Sequence, residues 1–402
     1  MALRRRTAGP EGAGVETNRP SVLKRGLFHG ECFSVPSCNF VGSAVRETAF
    51  PLFYDKEAAI IMRLIDTEDA VGHVLCHDLT QIIKDQYKDA RFRKGHVVQP
   101  EDIPVLLSMG KEHLYVWEKT EGLLHEDEAA EHLRALCQNE HMHPTPVKEG
   151  KIELIADCDG LFRVDVERLN AINGEDDIMI ATRHTNTVVH KGDKLAGTRI
   201  IPLVIPAGKL RAVEERAGEG PILSLHPWKL KTCGLITTGS EVSTGRIQDT
   251  FTPVIVDKLA AFGISVTEHI LPGDDMAAIT AAVDDFHKKG VDLILCTGGM
   301  SVDPDDRTPG AIKAAGVNVV SYGAPVLPGA MFLLGYYADG TPVMGLPGCV
   351  MYAKATIFDL ILPRVLCNVP VTRADLARLG HGGLCLGCEH CHYPICPFGK
   401  EE

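Results

Sequence analysis

Between Lys231 and Leu366 the sequence alternates strand and helix signals in strict order, and this alternation limits the fold more than any other feature. Cys233-Gly-Leu-Ile-Thr reads as a strand. The helix that follows, over residues 252–262, carries Val256, Leu259 and Phe262 on one side and stops at Gly263. Residues 264–270 read as a second strand. Residues 276–289 read as a helix with Ile279, Val283 and Phe286 on one face, Asp274 or Asp275 as its cap and Gly290 as its stop. Val291-Asp-Leu-Ile-Leu-Cys-Thr is almost continuously apolar, as a strand covered on both faces should be. Thr308-Pro309 opens a short helix that Gly316 ends; residues 342–346 read as a strand, followed by a helix from about Cys349 to Leu360. Parallel strands need long crossovers, and helices supply them. The predicted fold class is therefore α/β: a three-layer, mostly parallel sheet with helices on both faces, over residues 231–368.

The remaining segments read as smaller modules. Residues 1–61 are rich in turn formers and lack apolar periodicity, so they are expected to be a disordered or over-called extension, with Met62 as the alternative start. Residues 62–140 form a small mixed α/β module; Pro104 suits the first turn of a helix and Gly110 its C-terminal stop. His73, Cys76 and His77 within it are read as core or strand residues, and Met109 as core. A solvated acidic helix is expected over residues 118–131 and a linker over 138–146, where His141 and His143 are solvated. Residues 150–230 form a β-rich module, in which Pro202 puts the strand 198–205 at an edge or a bulge.

Composition excludes several partners. With 41 Lys and Arg against 53 Asp and Glu, the net charge is −12, which is opposite to what phosphate backbones or anionic membranes attract. No apolar run reaches the roughly 18 residues that span a bilayer. Arg4 to Arg6 are followed by Thr-Ala-Gly-Pro-Glu and not by the apolar stretch of a signal peptide. A cytoplasmic homo-oligomer is expected, with no nucleic-acid or membrane partner.

Ligands of open α/β sheets bind beyond the carboxyl ends of the strands. Three loops of glycine and small hydroxyl residues fall there: Thr237-Thr238-Gly239-Ser240-Glu241, Thr297-Gly298-Gly299-Met300-Ser301, and Gly345-Leu346-Pro347-Gly348-Cys349. Glycine lets backbone amides approach a ligand, and amides with hydroxyls cradle phosphate. Three such loops at corresponding strand ends predict one anion-binding cleft. The same loops carry Glu241, Asp249, Asp274, Asp275, Asp303, Asp305 and Asp306. Carboxylates beside phosphate call for a cation, and magnesium binds through a few carboxylates plus substrate phosphates. Asp249, Asp274 and Asp275 have a second reading as helix N-caps.

Taken in order, Thr-Thr-Gly-Ser-Glu, Gly245-Arg-Ile-Gln-Asp-Thr, Asp274-Asp275, Thr-Gly-Gly-Met-Ser-Val, Pro328-Gly329 and Gly345-Leu-Pro-Gly resemble the molybdopterin-binding domain of molybdopterin molybdenumtransferases and molybdopterin adenylyltransferases. The resemblance covers about residues 231–366. It implies that the domain binds molybdopterin or its adenylylated form with Mg2+ and acts in molybdate insertion. It also implies that Asp249, Asp275 and Asp306 are catalytic, and that Thr237, Thr238, Gly239, Ser240, Glu241, Thr297, Gly298, Gly299, Ser301, Pro328, Gly329, Pro347 and Gly348 hold the cofactor. Asp306-Arg-Thr-Pro looks like the Asp-x-Thr-Pro stretch of the adenylyltransferase branch. Upstream, Asp66-Thr-Glu-Asp-Ala-Val-Gly-His-Val-Leu looks like the opening of the transferase. The segment Lys94–Gly110 looks like the one the transferase places just before its pterin domain, here more than a hundred residues earlier. The transferase's Ser-x-Met-Asp-Gly-Tyr-Ala loop is missing, and Cys349-Val350 stands where the family has Asn-Pro. These departures keep a second reading open: a carrier, insertase or sensor that holds the cofactor for a molybdoenzyme or another cofactor-biosynthesis protein. Cys349 either packs the helix start or offers a soft sulfur to the pterin.

Of 13 cysteines, four lie in the last 18 residues: Cys385, Cys388, Cys391 and Cys396. In a cytosolic chain such crowding points to metal ligation and not to disulfides. C-x-x-C-x-x-C followed by Cys-Pro is close to the bacterial ferredoxin run, with one extra residue before the last cysteine. An iron–sulfur cluster, a zinc site completed by the four thiolates or by three with His392, and free redox thiols are the readings. Gly380, Gly382 and Gly383 suggest a flexible joint ahead of this tail, residues 379–402.

Overall fold

The computed structural model describes residues 63–83, 87–116, 122–239, 244–246, 248–304 and 306–400. Residues 1–62, and with them both candidate starts, lie outside the described residues, as do Ser240, Glu241 and Asp305.

The alternating segment folds as β1 (Thr232–Thr237), α1 (Phe251–Ala260), β2 (Ser265–Ile270), α2 (Met276–Lys288), β3 (Leu293–Thr297), α3 (Thr308–Ala314), β4 (Asn318–Tyr322), β5 (Leu333–Tyr336), β6 (Pro342–Leu346), α4 (Ile357–Leu366) and α5 (Arg373–Arg378). The six strands form one sheet in the order β2-β1-β3-β6-β5-β4. The first four are parallel; β5 runs antiparallel to β6, and the edge strand β4 runs antiparallel to β5.

Both faces of this sheet are buried. Cys233, Leu235, Leu293, Leu295, Met344 and Leu346 pack on one side against Ile255 and Leu259 of α1 and Phe358, Ile361 and Val365 of α4. Ile236, Ile294, Cys296 and Val343 pack on the other against Ile279, Val283 and Phe286 of α2 and Ile312 of α3. Period-2 alternation with an apolar layer on each side is why the central strands read as unbroken apolar runs. Gly234 is part of that fit: a Cβ there would lie 2.4 Å from the Phe286 ring.

Two features differ from the sequence reading. β4 and β5 were not expected, because β4 exposes Asn318 and Val319 while burying Ser321, which erases the alternation signal. The last helix starts eight residues later than expected. Gly348–Met351 makes only a 3₁₀ turn. The helix proper begins at Thr356, whose hydroxyl accepts the Phe358 amide at 3.2 Å while Asp359 accepts the Thr356 amide at 2.7 Å. That reciprocal cap fixes the start more firmly than apolar periodicity does.

Upstream, strand Arg63–Asp66 pairs with His113–Val116, and Ile65, Leu75, Phe92, Val98, Leu106 and Leu114 make a small core. Pro104 and Gly110 bound the helix Ile103–Ser108 as expected, with Gly110 at φ 73°. Cys76 is buried, its thiol donating to the Tyr115 carbonyl at 2.8 Å.

The acidic helix spans Glu126–Cys137: the strand Leu123–His125 precedes it, residues 118–121 lie outside the described residues, and His125 and Glu128 form a reciprocal cap at its start. Its residues Ala129, Leu133 and Cys137 join the core of the β-rich module. The expected linker also gives way: Met142–Pro144 is a strand paired with Ile152–Ala156, and Met142 is buried. Pro202 interrupts its strand outright, leaving Lys194–Ile200 and Val204–Pro206 in different sheets.

Glu126 sits buried where the first helix of this module meets Gly150. A Cβ on Gly150, which has φ +67°, would come within 2.7 Å of Glu126. Burial first, and the neighbouring Asp127 second, push the Glu126 carboxyl up to about 7 against the pull of Arg199. A carboxyl raised above its unfolded value destabilises the fold once ionised. The cost is full above the native value and fades as pH falls toward 4.5, the ordinary value. Glu126→Gln should therefore be more stable than the native chain at about pH 8, by roughly 1–3 kcal/mol, with no gain near the ordinary glutamate value. Urea unfolding at the two pH values checks this; an equal difference at both would contradict it.

The joint ahead of the cysteines is packed, contrary to the expectation of flexibility. A Cβ on Gly383 would lie 2.4 Å from the Leu379 carbonyl, and one on Gly382 would lie 2.5 Å from the Lys400 carbonyl. Leu379 and Phe398 belong to the core beneath α4, with Tyr393 packed against it. Phe398→Ala should destabilise the α/β domain by about 3–5 kcal/mol, the usual cost of emptying a buried phenyl site. A shift below about 1 kcal/mol in denaturant unfolding would show the tail to be separable.

Candidate functional site

The four parallel strands end together: Ile236 pairs with Ile270, Thr237 with Thr297, and Thr297 with Leu346. Register alone thus brings the loops after β1, β3 and β6 to one edge. Behind that edge stands a wall of buried hydroxyls from Thr237, Thr238, Thr297 and Thr308. The Thr238 amide donates to the Thr297 carbonyl at 2.8 Å. The Thr308 hydroxyl donates to the Gly298 carbonyl at 2.9 Å, and its amide to that of Gly299 at 3.2 Å. Only glycine fits between these threonines. Gly298 and Gly299 have φ +86° and +56°, and a Cβ would lie 2.5 Å from the Thr238 carbonyl or 2.7 Å from the Thr308 hydroxyl. Gly239 continues the first loop at φ 128°.

In front of this wall lies a cleft of about 380 Å³. Gly298, Gly299, Ser301, Asp306, Gly329, Pro347 and Gly348 line it, together with Met300, Ala330, Met331 and Cys349. Asp306 accepts the Ser301 amide at 2.8 Å and closes the second loop on itself. The Tyr322 hydroxyl donates to the Met300 carbonyl at 2.9 Å and pins the same loop from β4. Burial and the Asp306 charge push the Tyr322 phenol up, so it remains a donor.

The acids expected together are spread out. Asp306 lines the cleft. Asp249 lies at the start of α1, accepting the Phe251 and Thr252 amides at 2.9 and 3.0 Å and the Thr252 hydroxyl. It stands beside His269, whose Nε2 is 3.1 Å from the Thr237 hydroxyl. Asp275 caps α2 through the Ala278 amide at 2.8 Å and faces a separate groove with Thr280 and Asp284. Pro328 turns to a neighbouring cleft of about 270 Å³, which Cys385, Cys388, Cys391 and Cys396 also line. All four of those thiols are free. Among the described residues, no three His, Cys, Asp or Glu side chains converge closely enough to hold a single metal ion. Cys349 is half-buried, and burial, only partly offset by a hydrogen bond to its own backbone, raises its thiol, so it faces the cleft as a neutral, soft group.

Sequence reasoning missed Thr308, Tyr322 and His269, which shape the site without lining it, and the apolar floor of Met300, Ala330 and Met331. Thr308 carries a usable signal, since it is the threonine of the Asp306-Arg-Thr-Pro stretch as well as a helix start.

A glycine-lined cleft at the strand ends of an α/β sheet, walled by buried hydroxyls, defines an anion- or nucleotide-like cofactor-binding domain. Residues 234–366 match the family described as "Probable molybdopterin binding domain", and the chain carries a molybdopterin-binding domain there. Residues 64–118 match "Domain of unknown function (DUF8806)". A CinA-like protein of Mycolicibacterium gilvum is 40% identical over 75 residues, 19% of this chain and 18% of that protein. One from Mycobacterium tuberculosis is 40% identical over the same length, 17% of that protein. The chain thus spans under a fifth of the length of the curated relatives it matches. Among solved structures, the molybdopterin biosynthesis enzyme MoaB of Thermus thermophilus is 21% identical, with 36% of this chain and 99% of that chain covered at a TM-score of 0.29. The protein CinA of Thermoplasma acidophilum is 18% identical, with 34% and 98% covered at a TM-score of 0.29.

Asp249→Ala removes the acceptor for the first amides of α1 and should cost about 1–2 kcal/mol. Burial alone would raise this carboxyl, but the Thr252 hydroxyl, the Thr252 and Phe251 amides and His269 outweigh it and hold it below the ordinary aspartate range. Its contribution is therefore present above the ordinary value of 3.8 and is lost as pH falls through the native value. Unfolding curves of variant and native chain should converge in acid; a gap that persists there would contradict the assignment.

Proposed function

We propose that the cleft binds the phosphate-bearing pterin molybdopterin, or its adenylylated form, and that the chain acts in molybdate insertion during molybdenum cofactor biosynthesis. The observation that carries the reading is the convergence of Gly298, Gly299, Ser301, Gly329, Pro347 and Gly348 on one cleft inside the matched domain. The two apolar cores, one on each face of the sheet, support the three-layer reading of that domain.

Glycines at these positions leave room for a ligand to meet backbone amides, and Ser301 adds a hydroxyl. The residues fit magnesium in its usual open form. Asp306 would contribute a carboxylate, the phosphates would supply further oxygens, and water would complete the shell. Magnesium held there shields phosphate charge. Asp306 also keeps the Ser301 amide in place, so the second loop is positioned before the ligand arrives. Molybdate is the substrate of the insertion reading, and AMP is the product released from the adenylylated pterin.

A second reading, a carrier, insertase or sensor that delivers the cofactor to a molybdoenzyme or another cofactor-biosynthesis protein, is favoured by one specific observation. Of the three expected catalytic acids, only Asp306 lines the cleft, whereas Asp249 and Asp275 are engaged as helix caps. Incubating the full chain with adenylylated molybdopterin, magnesium and molybdate separates the readings. AMP release supports the transferase, binding without release supports the carrier, and no binding removes both. In either case Asp306→Ala should weaken magnesium-dependent pterin binding by about tenfold, or roughly 1.4 kcal/mol, with the fold intact by circular dichroism. Unchanged binding would take Asp306 out of the site.

A further inference from the structure

The tail is anchored at both ends and left open in the middle. At its start the Cys385 amide donates to the Leu327 carbonyl, and the Leu327 amide to the Gly383 carbonyl, each at 2.8 Å. At its end Phe398 sits in the core, the Tyr393 hydroxyl donates to the Asp359 carbonyl at 3.1 Å, and the Gly399 amide donates to the Gly382 carbonyl at 3.0 Å. Between these anchors the chain makes turns with no helix or strand. Leu386 and Ile395 there are 72% and 89% exposed. Cys385, Tyr393 and Cys396 pack against the core beneath α4, but the loop has little core of its own, and small segments of this kind depend on a metal or a cross-link for order. No disulfide provides it, because all four cysteines are free.

What the loop does enclose is sulfur. Cys385, Cys388, Cys391 and Cys396 all face the one cleft of about 270 Å³ against Pro328 and Lys354. Four thiolates on one cleft suit either a single zinc ion or an iron–sulfur cluster, and the spacing of the cysteines favours the cluster. Two-residue gaps join the first three cysteines, as in ferredoxin runs, and Cys396-Pro397 follows after four residues in place of three.

The geometry points to an iron–sulfur cluster held by Cys385, Cys388, Cys391 and Cys396. It stands independently of the pterin reading, because iron is measured without any pterin. It also adjoins that site: Pro328 borders the thiol cleft, and the next residue, Gly329, borders the cofactor cleft.

The test uses the full chain, purified anaerobically and reconstituted with ferrous iron and sulfide. The expected protein is brown, with a thiolate-to-iron absorption band and stoichiometric iron and acid-labile sulfide. Cys388→Ser and Cys391→Ser should each lose at least about tenfold in bound iron. Cys349→Ser, at the neighbouring cleft, and His392→Ala should keep it. If the cysteine variants fail to fold, thiol titration of the native chain replaces them: chelating the iron should bleach the band and expose four additional reactive thiols. Iron-free protein after reconstitution, one zinc per chain that iron does not displace, or full iron in Cys388→Ser would each overturn the proposal.

Discussion

Four strands that run parallel and stop in register set the rest of the structure. Because Thr237, Thr297 and Leu346 are neighbours across the sheet, the loops that follow them have no choice but to meet. The sheet is buried between two apolar layers, supplied by α1 and α4 on one face and by α2 and α3 on the other, and α1 and α2 are the crossovers between parallel strands. Burial of the sheet and assembly of the cleft are therefore one event. The threonines at the strand ends tie the two together. The Thr238 amide donates to the Thr297 carbonyl, while Thr308 at the start of α3 donates its hydroxyl to the Gly298 carbonyl and its amide to the Gly299 carbonyl, so the glycine backbone is held in a left-handed conformation before any ligand arrives.

Much of this was legible in the residues. The order of strands and helices in the α/β segment followed from apolar runs punctuated by glycine, and the three glycine loops were correctly placed at strand ends. Gly298, Gly299, Ser301, Asp306, Gly329, Pro347 and Gly348 line one cleft. The acids were harder to read. Asp249 and Asp275 occupy the first turns of helices, where capping and ligation demand the same side chain, and sequence cannot show which use the backbone makes of it. Elements without a clean period were also hidden. β4 is a short edge strand with mixed burial, β5 is an almost wholly buried strand of four residues, and the strand Met142–Pro144 lies in a run of polar residues and prolines that mimics a linker. The tail glycines misled for a related reason. Glycine serves close packing as readily as flexibility, and a neighbouring carbonyl 2.4 Å from a would-be Cβ distinguishes the two only in three dimensions.

The tail and the cofactor cleft share one piece of backbone. Leu327 receives the Cys385 amide and donates to the Gly383 carbonyl, Pro328 borders the thiols, and Gly329 borders the glycine-lined cleft, with a would-be Cβ 2.5 Å from Ile357 at the start of α4. The backbone at Leu327 is therefore tied to the start of the cysteine tail two residues from the rim of that cleft.

The central claim is that the glycine cleft is where the pterin sits. Gly348 tests it most directly, because it is the cleft residue whose absent side chain nothing in the protein requires: the nearest atom to a Cβ there is in the Phe251 ring, at 4.0 Å. Gly348→Phe should fill the cleft without straining the fold. Titration of molybdopterin into the full chain should show saturable binding that this variant weakens by about 100-fold, or roughly 2.7 kcal/mol, with the unfolding midpoint unchanged. Equal affinity in the native and substituted chains, both folded, would place the pterin elsewhere and contradict the account.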